Sequence, residues 1–176
     1  MLYHTHDVGA PKVAAAREAL LHLNPEVEIL PMPARLEGDA LDRQVAKSDV
    51  VLDCSDNFAT RHAVNRACVR HRKPLVSAAA IRLEGQLMVF DLSKAGSACY
   101  ACLFPEEGEV EEVQCSVMGV LAPLTGMLGA LQAMEAIKLV AGVGEATKDL
   151  VLVNAKTTEW RSVRVRKDPA CAVCGR

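Results

Sequence analysis

Two Cys-x-x-Cys pairs, Cys99/Cys102 and Cys171/Cys174, constrain this chain more than any other pattern in it. Each pair places two thiolates where they can grip one side of a tetrahedral metal ion. Together they provide the four soft ligands of a closed structural zinc site. The 68 residues between the pairs, 103 to 170, are far too many for a zinc finger. A metal here folds no small module; it staples the end of the sequence back onto the middle of a larger domain. The competing readings are a redox motif, two disulfides and chance spacing. A thioredoxin-type motif lies between a strand and a helix, whereas Cys99-Tyr-Ala-Cys102 is expected to follow a strand and precede an acidic loop. Disulfides belong to oxidising compartments, and nothing in the sequence points to secretion.

A chain of 176 residues allows one domain with a real core. Apolar residues make up 51% but aromatics only 3%, so that core must be built from Ala, Val, Leu and Met. The formal charge of −2, with no basic stripe, argues against nucleic acid as a partner. The first residues have neither a basic start nor an apolar run, so they are no signal peptide. Seven cysteines, an odd number, suit a reducing, cytoplasmic setting. The low-charge stretch Ser116–Met134 approaches membrane-spanning length. It contains Pro123, Thr125, Gln132 and three glycines, and Glu135 and Lys138 follow it, so a buried or interface helix is expected and no membrane.

Periodicity predicts a helix over Pro11–Leu23, with an apolar stripe of Val13, Ala16, Leu20 and Leu23. A short extended piece at Val27–Pro31 and a helix at Asp39–Ala46 follow. Asp49–Asp53 reads as a strand buried on both faces. Cys54-Ser-Asp-Asn57 turns into a helix reaching about His71, capped by Asp56 or Asn57. Strands are expected at Pro74–Ala79 and Gln86–Asp91, with Gly85 as the breaker. The run Glu106–Glu112, with five glutamates in seven residues, reads as a solvated loop. A long helix spans roughly Gly119–Ala141, and Gly126, Gly129, Ala130 and Ala133 would let another helix approach it closely. A hairpin, Leu150–Asn154 and Glu159–Val165, closes the chain, with Trp160, Val163 and Val165 set against Arg161, Arg164 and Arg166. The fold class is α/β, parallel strands giving way to antiparallel ones.

Ligands of such sheets bind at the carboxyl ends of parallel strands. Asp56 and Asn57 lie at that kind of place, where a carboxylate can hold Mg²⁺ against phosphate oxygens. Helix capping is the competing role for both. Lys12 opens the first predicted helix, where the dipole disfavours a cation; phosphate binding would explain it, and so would plain solvation. Cys115, outside both pairs, lies between the acidic loop and the long helix, a setting that can lower a thiol pKa and favour nucleophilic or persulfide chemistry; a loop thiol without function is the competing reading. Cys54 and Cys68 read as small core residues. No Gly-x-Gly-x-x-Gly and no Walker loop is present.

Taken in order, several strings resemble the MoeB/ThiF/HesA family, the bacterial relatives of ubiquitin-activating enzymes. They are Gly9-Ala-Pro-Lys12, Asp53-Cys-Ser-Asp-Asn-Phe-Ala-Thr-Arg61 with Asn65, and Ser77-Ala-Ala-Ala-Ile-Arg-Leu-Glu-Gly-Gln86. Next come Cys99-Tyr-Ala-Cys102, Gln114-Cys-Ser-Val-Met-Gly-Val-Leu-Ala-Pro123, Gly129-Ala-Leu-Gln-Ala-Met-Glu-Ala-Ile-Lys138 and Cys171-Ala-Val-Cys174-Gly. The resemblance covers the whole chain and is closest to the MoeB type. It implies a Rossmann-like ubiquitin-activating-enzyme fold with a four-cysteine zinc site. Residues 1–176 would be a single domain, the C-terminal two-thirds of the family's, in which 99–174 hold the zinc-stapled crossover and the hairpin.

The implied activity is ATP-dependent adenylation of the C-terminal Gly-Gly of a ubiquitin-like sulfur carrier of the MoaD/ThiS kind, for molybdopterin or thiamin synthesis. Asp56 would be the essential Mg²⁺/ATP carboxylate, Asn57 its neighbour in the nucleotide site, and Lys12 a phosphate contact. Cys115 falls where ThiF-type members keep a sulfur-transfer cysteine. The resemblance also implies a homodimer, and a sulfurtransferase or cysteine desulfurase as sulfur-supplying partner. The family's glycine-rich nucleotide loop precedes the point at which this sequence starts. These residues alone are therefore expected to bind ATP weakly or not at all. The alternative is a non-catalytic, zinc-stapled piece that dimerises or binds the carrier without activating it.

Overall fold

The computed structural model describes residues 2–106 and 118–175. The chain divides into two compact units, Met1–Leu36 and Glu37–Arg176. Cys115 and residues 107–112 of the acidic run lie outside the described residues.

In the first unit a single 3-10 turn, Thr5–Asp7, precedes helix α1 (Lys12–Leu23). Pro11 occupies the N-cap position, where its missing N–H costs nothing. Helix α1 buries Ala15 alone; Leu20 and Leu23 of the expected stripe are exposed. Residues 27–31 form no strand.

The second unit runs α2 (Gly38–Lys47), β1 (Val51–Asp53), α3 (Phe58–His71), β2 (Leu75–Ile81), β3 (Glu84–Phe90), α4 (Tyr100–Leu103), α5 (Ala122–Ala141), β4 (Asp149–Asn154) and β5 (Glu159–Arg164). Its sheet has the order β1-β2-β3-β4-β5. Strands β1 and β2 are parallel and joined through α3, and every later pairing is antiparallel. This is the expected parallel-to-antiparallel α/β sheet.

Side chains alternate between two cores, because successive residues of a strand point to opposite faces. Leu75, Met88, Phe90 and Leu150 pack with Val45 and Val64 of α2 and α3, with Tyr100, and with Cys99, Cys171 and Cys174. On the other face Ala78, Leu87 and Val153 pack against Leu124 and Leu128 of α5. Helix α5 is long and apolar enough to cross a membrane by length and composition. It is instead packed along one side on β2 and β3, and that side carries two buried polar residues, Gln132 and Glu135. Glu135 accepts from the Thr147 N–H at 2.8 Å and pairs with Lys138 at 2.6 Å. The opposite side is apolar and bare, with Met134, Ile137 and Val140 50%, 62% and 65% exposed.

Three expectations need correction. Strand β1 is not buried on both faces: it forms one edge of the sheet, and Leu52 is exposed. Gly85 is not a breaker but lies within β3, paired with Ala80 and Val153. The chain turns instead at Arg82-Leu83, with Arg82 in the left-handed region at φ 52°. In β5, Trp160 lies opposite Val153 and Val163 opposite Leu150, with unbroken register between them. Three residues apart, they must point to opposite faces, so Trp160 does not share a side with Val163 and Val165.

Gly85 is required by close packing. A Cβ there would stand 2.7 Å from Cδ1 of Leu128 and 3.1 Å from Cδ1 of Leu124, both buried side chains of α5. Gly85→Val is therefore expected to lift α5 from the sheet and cost about 2 kcal/mol, within the usual range for overpacking. Denaturant unfolding would show it as a lowered midpoint with an unchanged m-value.

Candidate functional site

The carboxyl ends of β1 and β2 open onto a slot of about 230 Å³, lined by Cys54, Ser55, Asp56, Arg61, Ala78, Ala79, Ala80 and residues of α5 including Gly129 and Gln132. Polar groups fix its floor. Asp53 is buried at the last position of β1. Its Oδ1 accepts from the Ser55 N–H at 3.0 Å and the Ser55 hydroxyl at 2.7 Å, and its Oδ2 from the Ser77 hydroxyl at 3.3 Å. From α5, the Gln132 amide donates to the carbonyls of Asp53 (3.0 Å) and Val76 (3.2 Å), tying the two parallel strands together at their ends. The Cys54 thiol donates to Gln132 Oε1 at 3.4 Å. Cys54 is thus an exposed residue of the slot and not a core residue as expected. Cys68 is fully buried, and desolvation pushes its thiol up to about 12.

On this floor stands the turn carrying the two candidate nucleotide ligands. Asn57 caps α3, its Oδ1 accepting from the Thr60 N–H at 2.8 Å. The capping role is therefore real, and it leaves the amide nitrogen 3.4 Å from Asp56 Oδ1. Asp56 itself is exposed at the slot. Arg61, one turn into α3, is buried and donates from Nη2 to the Ser55 carbonyl at 2.6 Å. Lys12 is exposed at the first position of α1, in the other compact unit. Cys115 lies outside the described residues.

Sequence reasoning missed Asp53, Ser77, Arg61 and Gln132 as parts of the site. Polar residues inside otherwise apolar runs were the available signal, since buried polar groups need partners. A larger depression of about 850 Å³ lies at the opposite ends of the strands. Of the six cations lining it, Lys94, Lys138, Lys148 and Arg164 are each paired with a carboxylate, and Arg166 and Lys167 are the other two.

The four paired cysteines converge as expected. Their Sγ atoms all lie within 4.8 Å of one another. Cys99–Cys171 measures 3.8 Å, Cys99–Cys102 4.0 Å and Cys102–Cys174 3.4 Å. A tetrahedron with bonds of about 2.3 Å, the zinc–thiolate length, has edges of about 3.8 Å, so the set fits. Without a cation, burial pushes the thiols of Cys99 and Cys174 up. N–H groups point at the sulfurs, from Asn65 Nδ2 to Cys99 at 3.6 Å and from the Asp168 backbone to Cys102 at 3.5 Å. Such donors suit thiolates. Gly175 closes the second pair, its N–H bonded to the Cys171 carbonyl at 2.8 Å. A Cβ there would meet the backbone oxygens of Cys171 and Pro169 at 2.5 Å each.

Two outcomes follow for this centre. Stripping the metal with a chelator is expected to lower the melting temperature, because a closed thiolate site contributes its binding energy to folding. Gly175→Ala, whose new methyl meets backbone that cannot swing aside, is expected to weaken metal binding by about tenfold or more, read by competition with a chromophoric chelator.

The model of the ThiF family matches residues 1–173. The chain is 42% identical over 175 residues to the sulfur carrier protein ThiS adenylyltransferase of Escherichia coli, covering 99% of this chain and 69% of that one. To the molybdopterin-synthase adenylyltransferase of the same organism it is 44% identical, covering 99% and 70%. Protein HesA of Leptolyngbya boryana is 39% identical, covering 97% of this chain and 61% of its own length. The fold is also that of E. coli MccB bound to ATP, with a TM-score of 0.81 at 22% identity, over the whole of this chain and 54% of that one. With the sheet, the slot and the four-cysteine cluster in agreement, the chain belongs to the ThiF family.

Proposed function

We propose that this chain carries an adenylation centre acting on the C-terminal Gly-Gly of a ubiquitin-like sulfur carrier, in molybdopterin or thiamin synthesis. The observation that carries this reading is Asp56. It is a carboxylate exposed at the slot beyond the parallel strands, on a turn anchored by Asp53, Arg61 and Asn57. The relatives' names, ThiS and molybdopterin-synthase adenylyltransferase, support the substrate class.

In this reading a terminal carboxylate oxygen of the carrier attacks the α-phosphorus of ATP. The bond from that phosphorus to the bridging oxygen breaks, pyrophosphate leaves with the electron pair, and an acyl-adenylate remains. Two anions must meet, so positioning and charge neutralisation dominate the barrier. Asp56 would hold Mg²⁺ against the phosphates, with the Asn57 amide beside it and Lys12 as a further phosphate contact. The cysteine cluster would hold Zn²⁺, which with four thiolates has no open position and only a structural role. Cys115 would serve the later sulfur step, supplied by a sulfurtransferase or cysteine desulfurase. The bare apolar side of α5, where a Cβ on Gly126 would meet nothing within 4 Å, suits a homodimer.

Pyrophosphate exchange into ATP, dependent on a carrier ending in Gly-Gly, tests the reaction. Asp56→Ala is expected to lower it by about a hundredfold or more. Carrier binding without exchange in the unaltered protein would favour a non-catalytic role. Asn57 separates into two functions. Asn57→Ala is expected to lose both exchange and about 1 kcal/mol of stability through the lost cap. Asn57→Ser, which still caps, should recover the stability in thermal unfolding but not the exchange.

A further inference from the structure

Arg61 is a buried cation with no counter-ion among the described residues. Its residue is 8% exposed, yet among the described residues no carboxylate lies within ion-pair distance of it. A guanidinium has five N–H donors. Here one bond is made, from Nη2 to the Ser55 carbonyl, and Nε is sealed from solvent with no partner. The buried carboxylate of Asp53 is turned to Ser55 and Ser77 instead. The Tyr100 hydroxyl beside it is also buried and interacts with Arg61 only weakly, short of a formed hydrogen bond. Burial keeps that phenol neutral, against the pull of Arg61. The N-terminal end of α3 offers no help, since its dipole repels cations. A buried charge with an unmet donor is costly unless an anion completes it.

The slot that Arg61 lines says what sort of anion fits. At about 230 Å³ it is narrow, below the roughly 300–1,000 Å³ of ordinary small-molecule sites, and the end of a chain fits it. Its walls include Ala78, Ala79, Ala80 and Gly129, which leave room for backbone and none for large side chains. Asp56 lies on the same slot, at the other end of the turn that Arg61 holds.

We propose that Arg61 is the recognition residue for the terminal carboxylate of the tail: its guanidinium, held by the Ser55 carbonyl, receives that carboxylate in the slot and orients it towards the phosphate side marked by Asp56. This rests on the adenylation reading, and it adds the group that distinguishes a free chain end from any other small-residue segment. A planar, forked cation suits a carboxylate and fixes its orientation, which a point charge does not.

The test compares two peptides ending in Gly-Gly, one with a free carboxylate and one with a C-terminal amide, titrated into the full chain by calorimetry without ATP. The unaltered chain is expected to prefer the acid by about tenfold or more, the usual worth of a charged hydrogen-bonded pair. In Arg61→Gln the preference should vanish while the amide peptide binds as before; in Arg61→Lys it should fall part of the way. A preference left intact in Arg61→Gln, or absent from the unaltered chain, overturns the proposal. Should Arg61→Gln fail to fold, the Nε–H resonance of Arg61 in the unaltered chain decides, assigned by its loss in Arg61→Lys. It should shift with the acid and not with the amide, and equal shifts would sink the idea. Pyrophosphate exchange by the unaltered protein is scored separately. Exchange with no role for Arg61 in tail preference removes this inference alone, whereas no exchange removes the adenylation reading. A rise in KM for ATP with tail preference unchanged would assign Arg61 to the triphosphate and count against the proposal.

Discussion

Four sulfur atoms drawn from two places 72 residues apart meet within one coordination sphere. The rest of the second unit is organised around that meeting. The cluster is no appendage, for Cys99, Cys171 and Cys174 belong to the same core as Leu75, Phe90 and Tyr100. A chain with 3% aromatics has few large side chains for filling that core. Tyr100 and Phe90, among the largest fully buried ones, both sit beside the cluster, their rings 6.1 Å apart and edge to face. The cysteine cluster and the aromatic packing therefore belong to one and the same region. Strand β5 needs such an anchor: it is exposed along its length, pairs only with β4, and leads directly into the second cysteine pair.

The other face of the sheet is held differently. Helix α5 approaches β3 closely because Gly85 has no side chain, and from that distance Gln132 reaches the backbone of both parallel strands. Closeness and hydrogen bonding depend on each other. A helix held farther off by a methyl group would still cover Leu87 and Val153 but would leave the strand ends untied. The slot is the result: it lies between the strand ends and α5, and its width is set by Ala78, Ala79 and Ala80 on one side and Gly129 on the other. The shape of this end of the molecule depends on small residues.

What could be read from the sequence was whatever is local. Equal spacing inside two cysteine pairs marks the four sulfurs that converge because the spacing is itself the chemistry of a candidate metal site, and the turn after β1 is legible because capping acts over three residues. What escaped is whatever depends on contacts between distant segments. Gln132 acts on a strand end 79 residues away, and Arg61 becomes unusual only once its Nε is seen buried without a hydrogen-bond partner. Gly85 looks like a breaker until a helix is seen lying over it. The faces of β5 follow from strand period and not from residue type, because a period of two cannot put Trp160 and Val163 on one side. Edge position explains the exposed Leu52 in the same way, because the apolar run at 49–53 carries no information about which strand lies beside it.

Helix α3 connects the two centres. Asn57 caps it beside the slot, Arg61 follows one turn later, and Asn65, fully buried, donates to the Cys99 sulfur and accepts the Tyr100 N–H at 2.9 Å. These positions are four residues apart and so fall on one side of the helix, about 12 Å from first to last. A rigid rod of that length transmits a rotation or a shift from either end to the other. A mutational survey that measures metal content alone, or turnover alone, will then attribute residues of α3 to whichever centre it happened to monitor. Only the two measured together on each variant can tell a broken rod from a broken end.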